Sequence, residues 1–223
     1  MESISKILVK EIFTSIQGEG PYIGQKHIFV RFTNCNLKCK YCDTDYSSSN
    51  SVEYSIHSLY DHIKTIDCNT ISFTGGEPLL AAGFLLDFLS RYKEKLNKKI
   101  YLETNGTLYK ELNQIIDYID IVALDIKLES TTGQKNRFLD NEKFLAIADK
   151  KEAFIKIVFD KDILDCEIKE VIRIAKEYNS LIILQPKMPL DKDLELIKVF
   201  DKFYCNYKNT RLIPQVHKFL NID

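Results

Sequence analysis

Apolar runs of strand length alternate with stretches of helical periodicity along nearly the whole chain, and this limits the possible folds more than any other feature. The strand-like runs cover residues 6–13, 27–33, 70–74, 99–104, 121–127, 153–159, 181–185 and 210–213. Helical spacing fills 56–66, 80–96, 108–118, 141–150, 165–178 and 194–204. Ser55 and Asp191 are placed to start helices, and Gly133 marks a loop. Strand–helix repetition predicts a parallel sheet with right-handed crossovers. About six βα units fall short of a closed eight-fold barrel, which takes about 250 residues. The expectation is an α/β fold, a partial, open β/α barrel. At 223 residues and 45% hydrophobic content, without linker or repeat, the chain has material for one core, so residues 1–223 are expected to form a single domain. In such folds chemistry gathers at the carboxyl ends of the strands.

Three cysteines follow the second run, in Asn34-Cys35-Asn36-Leu37-Lys38-Cys39-Lys40-Tyr41-Cys42-Asp43-Thr44, spaced C-x3-C-x2-C. Clustered thiolates select iron–sulfur clusters, zinc or copper(I). A structural zinc site takes four protein ligands. No fourth lies nearby: His27 precedes Cys35 by eight residues, and Cys68 is far downstream. A [4Fe–4S] cube normally takes four cysteines, so three leave one iron open to a small molecule. The iron–sulfur reading is preferred, with zinc as the alternative. Cys68, Cys166 and Cys205 are too scattered for a second cluster and read as small buried hydrophobes or surface thiols.

The other strand ends are also polar. Thr74-Gly75-Gly76-Glu77-Pro78 follows the third run; its glycines let a ligand approach the backbone, and Pro78 suits a first helical turn. A Gly-Gly turn by itself is common. Glu103-Thr104-Asn105-Gly106 closes the next strand, where Asn-Gly is also an ordinary turn. Asp125-Ile126-Lys127 and Gln185-Pro186 close two later ones. Each alone reads equally well as surface capping; together they line one rim.

The C-x3-C-x2-C segment with Tyr41 before its last cysteine, and Gly-Gly-Glu-Pro after the next strand, resemble the radical S-adenosylmethionine (SAM) enzymes. The resemblance implies a radical-SAM type of barrel. It also implies a [4Fe–4S] cluster on Cys35, Cys39 and Cys42 whose open iron chelates SAM and splits it to a 5′-deoxyadenosyl radical. Backbone groups at Gly76 and Glu77 would hold the amino group of SAM's methionine part. Tyr41, Cys42, Asp43 and Glu103 are further implied SAM contacts, as are Asp125, Ile126, Lys127, Gln185 and Pro186. The Asp125-Ile126-Lys127 run departs from the Ser-Pro-Lys form of many relatives.

Within that superfamily, Ile12-Phe13-Thr14-Ser15-Ile16-Gln17-Gly18-Glu19-Gly20, Gly24, Phe29-Val30-Arg31-Phe32, Cys42-Asp43-Thr44 and Pro214-Gln215-Val216-His217-Lys218 resemble the 7-carboxy-7-deazaguanine synthase family. That family converts 6-carboxy-5,6,7,8-tetrahydropterin to 7-carboxy-7-deazaguanine with release of ammonia, feeding queuosine and other 7-deazapurine pathways. The resemblance implies a Mg²⁺-dependent homodimer using SAM as a true cofactor, served by a flavodoxin- or ferredoxin-type reductant. It places substrate contacts at Ile16, Gln17, Gly18, Glu19, Arg31 and Thr74, and a Mg²⁺ ligand at Thr44. Chemically, Arg31 can fork onto a carboxylate as lysine cannot, and Glu19 can accept from an amino edge. Thr44 offers one neutral oxygen, so waters and substrate oxygens must complete the octahedron. No protein acid–base catalyst is expected. His217 and Lys218 either close over the substrate or anchor the C-terminal segment.

A glycyl-radical-enzyme activating enzyme has similar length and cysteine spacing, but leaves Ile16–Gly20 and Cys42-Asp43-Thr44 unexplained. A non-catalytic zinc or iron–sulfur module leaves the Gly-Gly-Glu-Pro turn unexplained. Net charge is −1 with both signs interspersed, and no basic stripe points to nucleic acid. No apolar run reaches membrane length, and Met1-Glu2-Ser3-Ile4-Ser5 lacks a signal-peptide pattern. With six cysteines, a reducing cytoplasmic setting is expected.

Overall fold

All eight apolar runs become strands of one nine-stranded sheet in a computed structural model that describes residues 6–42 and 44–222. The strands are β1 (Lys6–Ile16), β2 (Lys26–Phe32), β3 (Val52–Ser55), β4 (Thr70–Gly75), β5 (Lys99–Thr104), β6 (Ile121–Asp125), β7 (Glu152–Phe159), β8 (Leu181–Pro186) and β9 (Thr210–Leu212). Their order is β3-β1-β2-β4-β5-β6-β7-β8-β9. From β2 onward neighbours in this order are parallel, whereas β1 runs antiparallel to β2 and to β3. The sheet therefore ends in two edges, β3 and β9, and stays open as expected for a partial barrel. Strand β3 was not expected. Its sequence, Val52-Glu53-Tyr54-Ser55, is short and its first two residues are exposed; only pairing with β1 identifies it.

The helices are α1 (Ile56–Lys64), α2 (Ala82–Leu96), α3 (Tyr109–Ile115), α4 (Glu129–Thr132), α5 (Phe138–Ala148), α6 (Asp165–Glu177), α7 (Leu196–Tyr204) and α8 (Val216–Leu220). Ser55 does start a helix: its hydroxyl accepts from Ser58 N–H at 3.2 Å, and Ser58 Oγ accepts from Ser55 N–H at 2.9 Å, closing a capping box. Asp191 does not. Its carboxylate takes Asp193 N–H at 2.9 Å in a turn of its own, and α7 begins at Leu196. Gly133 ends α4 at φ +71°, where a side chain would be strained.

Alternation along the strands sorts the two faces of the sheet. On β7, Ile155, Ile157 and Phe159 join the large core between sheet and helices. Phe154 points the other way and meets Tyr101, Ile121, Ala123 and Ile183 in a small apolar floor inside the barrel. Above that floor the inner positions turn polar, at the carboxyl ends of the strands.

Candidate active site

The polar layer surrounds a cavity of about 510 Å³. Strand ends supply Arg31, Thr74, Glu103, Asp125 and Gln185 to its wall and the middle of β7 supplies Lys156, while the cysteine loop, the loop after β1 and the C-terminal segment complete it. Strand register puts Arg31 beside Thr74 and Asp125 beside Lys156.

The loop after β1 is held from within. Gln17, buried, donates through its amide to Glu103 Oε1 at 2.8 Å and accepts Glu19 N–H at 3.0 Å. Thr74 Oγ1 donates to the other Glu103 oxygen at 2.9 Å. Gly18 is required by a close approach: a Cβ there would lie 2.4 Å from His217 Nδ1 and 2.8 Å from the His217 backbone nitrogen. Through that gap Val216 N–H donates to Gly18 O at 2.9 Å, docking the C-terminal segment on the loop. Glu19 pairs with the Lys156 ammonium and accepts from Gln215 Nε2 at 2.7 Å. Burial alone would raise its carboxyl, but Lys156, Gln215 and His217 together bring it down to about 2. Arg31 pairs with Glu11 across the β1–β2 hairpin, its guanidinium 5.1 Å from the centre of the Phe13 ring.

Asp125 binds two lysines with one oxygen. Its Oδ2 lies 2.9 Å from Lys127 Nζ and 3.0 Å from Lys156 Nζ. Burial would lower both lysines, but Asp125 heads the groups that hold each well above the ordinary lysine value. Lys127 also touches Tyr41 Oη at 3.2 Å. Burial pushes the Tyr41 hydroxyl up to about 12, so it stays protonated.

The cysteine loop begins at Asn34, whose φ of +67° turns the chain away from β2. Gly76 lets the loop pack against β4, since a Cβ there would lie 1.7 Å from Asn34 O. Asn36 ties the loop to the end of β5, donating to Thr107 Oγ1 and accepting from Asn105 Nδ2, both at 2.8 Å. On its far side Lys40 N–H donates to Thr132 O of α4 at 3.0 Å. Cys35, Cys39 and Cys42 all line the cavity. Burial pushes the Cys35 and Cys39 thiols up, and the Lys127 ammonium opposes that in both.

These residues fit a [4Fe–4S] cluster with SAM. Three thiols face one cavity without converging on one point: among the described residues no three His, Cys, Asp or Glu side chains are grouped to hold a single ion. A cube binds each thiolate at a different iron and so spreads them. Beside them, buried Asp125 Oδ1 and both amide atoms of fully buried Gln185 have no protein partner. Buried polar atoms are normally paired, so these offer two acceptors and a donor to a ligand.

Of the other expected site residues, Ile16, Thr44 and Gly76 line the cavity. The Ile126 side chain lies in the helix-facing core, and Pro186 is buried at the end of β8 without lining the cavity. Glu77 is buried as the cap of the turn after β4, accepting from Leu79 N–H at 3.1 Å, Thr104 Oγ1 at 2.8 Å and Asn105 N–H at 2.9 Å. Burial pushes its carboxyl up to about 7 against those bonds. Asp43 falls outside the described residues. The sequence reading passed over Lys156. Its signal was a lone cation at an inward position of the apolar run 153–159.

Residues 29–199 match the sequence profile of the Radical SAM superfamily. The 7-carboxy-7-deazaguanine synthase of Geobacter sulfurreducens is 34% identical over 95% of this chain and 96% of its own length. That of Thermoplasma acidophilum is 33% identical over 97% and 98%. Among solved structures, QueE from Escherichia coli superposes with a TM-score of 0.68 at 20% identity, covering 95% of both chains. Streptococcus suis SuiB bound to S-adenosylmethionine gives 0.56 at 18% identity over 82% of this chain and 45% of its own. The last two likenesses speak to the fold, and the first two to descent. An open β/α barrel with three thiols at its mouth and this pattern of relatives places the chain in the radical SAM superfamily and, within it, in the 7-carboxy-7-deazaguanine synthase family.

Proposed function

We propose that this enzyme of the radical SAM class converts 6-carboxy-5,6,7,8-tetrahydropterin to 7-carboxy-7-deazaguanine with release of ammonia. The observation that carries the reading is one cavity with two kinds of wall. The cysteine loop, Asp125 and Gln185 form one side, and Arg31 with the Ile16–Glu19 loop forms the other. Cys35, Cys39 and Cys42 would hold the cluster, which with SAM supplies a 5′-deoxyadenosyl radical. Gly76, Asp125, Lys127 and Gln185 would hold SAM beside it.

Arg31 keeps guanidinium N–H groups beyond those Glu11 takes and offers them to the substrate carboxylate. Glu19, ionised and fixed by Lys156 and Gln215, accepts from the amino edge of the heterocycle. Gln17 spends both ends of its amide on Glu103 and Glu19, so it shapes the loop that carries Glu19. The C-terminal segment covers the loop and excludes water. Thr44 would give one oxygen to Mg²⁺, with waters and substrate oxygens supplying the rest; Asp45 is turned away to Lys10 at 2.5 Å. The same reading takes the chain as one catalytic domain, dimeric, cytoplasmic and reduced by a flavodoxin or ferredoxin.

Anaerobic incubation of the reconstituted enzyme with SAM, dithionite, Mg²⁺ and carboxytetrahydropterin tests the reading. Mass detection of carboxydeazaguanine is the expected result. SAM cleavage without that product would refute the substrate assignment while leaving the radical chemistry standing.

A further inference from the structure

A lysine in the middle of the apolar run Ala153-Phe154-Ile155-Lys156-Ile157-Val158-Phe159 is costly unless its charge is paired. Lys156 is paired twice, and its two partners come from different elements that line the cavity. Glu19 belongs to the loop after β1, and Asp125 to the end of β6. The two partners depend on it unequally. Asp125 keeps a second cation, Lys127, at 2.9 Å on the same oxygen. Glu19 has Lys156 as its one ion-pair partner among the described residues; its other bond comes from the neutral amide of Gln215. The loop's other bonds hold its backbone and Gln17: Gln17 exchanges backbone hydrogen bonds with Gln25 and Gly24 and reaches Glu103 on β5, and Gly18 O accepts from Val216 N–H, so none of them replaces Lys156 at the Glu19 carboxylate.

From this geometry we propose that Lys156 is a positioning residue for the substrate: it ties Glu19 to Asp125 and so fixes the loop carboxylate that faces the heterocycle. The inference rests on the reading that Glu19 accepts from the substrate's amino edge. Lys156 then acts through Glu19, and the SAM side of the cavity, served by Lys127, depends on it much less. The link also spans the boundary between the two walls, so the substrate loop is registered against the strand that carries the SAM-side carboxylate.

Anaerobic calorimetry tests this with 6-carboxy-5,6,7,8-tetrahydropterin, and separately with SAM, on reconstituted wild type and on Lys156→Met, Lys156→Arg, Glu19→Gln and the double variant Glu19→Gln/Lys156→Met. The methionine variant should weaken substrate binding roughly tenfold or more, the usual scale for stranding one partner of a buried pair. SAM binding should change by less than about threefold, and arginine should recover most of the loss. Because Lys156 acts through Glu19, the double variant should bind substrate about as Glu19→Gln does, within roughly twofold. A pH series adds a readout that loss of fold would not give. The charged and titratable groups around Glu19 are Lys156 on β7, His217 on α8, Tyr101 and Glu103 on β5, and Asp125 on β6. Without Lys156, burial raises the Glu19 carboxyl, and acidification protonates it. The ratio of variant to wild-type dissociation constants should therefore grow as pH falls. Lys156→Gln serves as the second variant should the methionine chain fail to fold. Equal weakening of substrate and SAM, or losses that multiply in the double variant, would overturn the role of Lys156 alone. A wild type that binds SAM but no carboxypterin would overturn the functional reading, and this role with it.

Discussion

Glu19 and Glu77 are both buried carboxylates of this site. Lys156 and Gln215 hold the first down to about 2 against its burial, whereas burial pushes the second, bonded to neutral donors, up to about 7. Company outweighs depth, and the two titrate in opposite senses. Glu19 has a folded pKa below its ordinary 4.5, so its contribution to stability is complete above pH 4.5 and is lost as pH falls toward 2. The melting-point gap between wild type and Glu19→Gln should be flat above about pH 5 and shrink toward pH 2, with ~3 kcal/mol as the full swing. Scanning calorimetry across that range checks it; a gap constant down to pH 2 would mean that the carboxylate is not held this way. Glu77 is different in kind. Its three donors, Leu79 N–H, Thr104 Oγ and Asn105 N–H, would all be stranded in Glu77→Ala. A loss of ~3–5 kcal/mol follows, lowering the melting point by about 10 °C in a chain of this size. A shift of only one or two degrees would show that water replaces the carboxylate freely.

Among the elements, the regular βα series was legible and the irregular joints were not. All eight apolar runs became strands; the central parallel ones, buried on both faces, write themselves as consecutive Val, Ile, Leu and Phe. Strand β3 left no such trace, being half exposed, and helices α4 and α8 span four and five residues, too few to show a period. Site residues at strand ends stood out as polar breaks in apolar text, whereas the division of labour among them did not. Nothing in Gly-Gly-Glu-Pro announces its packing roles: the Glu77 carboxylate serves as a cap, and Gly76 lies against the Asn34 carbonyl. That contact has a consequence for the whole loop. In Gly76→Ala the new methyl group would meet backbone at 1.7 Å, so the cysteine loop must shift. The variant should take up well under half the iron and sulfide of wild type on reconstitution, while its far-ultraviolet circular dichroism stays wild-type. Full iron loading would mean that the loop finds another seat.

Across the whole molecule, the cavity is assembled from chain segments far apart in sequence. The C-terminal segment docks late in the chain onto a loop formed early, through Val216 N–H to Gly18 O at 2.9 Å and Gln215 to Glu19 at 2.7 Å. A chain shortened after Ile213 loses these bonds but no strand, β9 having ended at Leu212. It should keep a melting point within about 5 °C of wild type and bind SAM, yet lose roughly tenfold or more in carboxytetrahydropterin affinity by calorimetry. Unchanged substrate affinity would assign the segment to anchoring alone. The β1–β2 hairpin is the one antiparallel addition, with β3, to an otherwise parallel series, and the Ile16–Glu19 loop that lines the cavity lies within it. Such an appendage looks exchangeable, as if evolution could trade one hairpin for another and keep the radical-generating barrel. The Glu19–Lys156 pair forbids so simple a trade. A foreign hairpin would leave the Lys156 and Lys127 ammoniums sharing the single Asp125 carboxylate, and this hairpin moved elsewhere would arrive with an unanswered carboxylate. Inheritance of a new specificity on this scaffold must therefore change at least two separated stretches of the chain together.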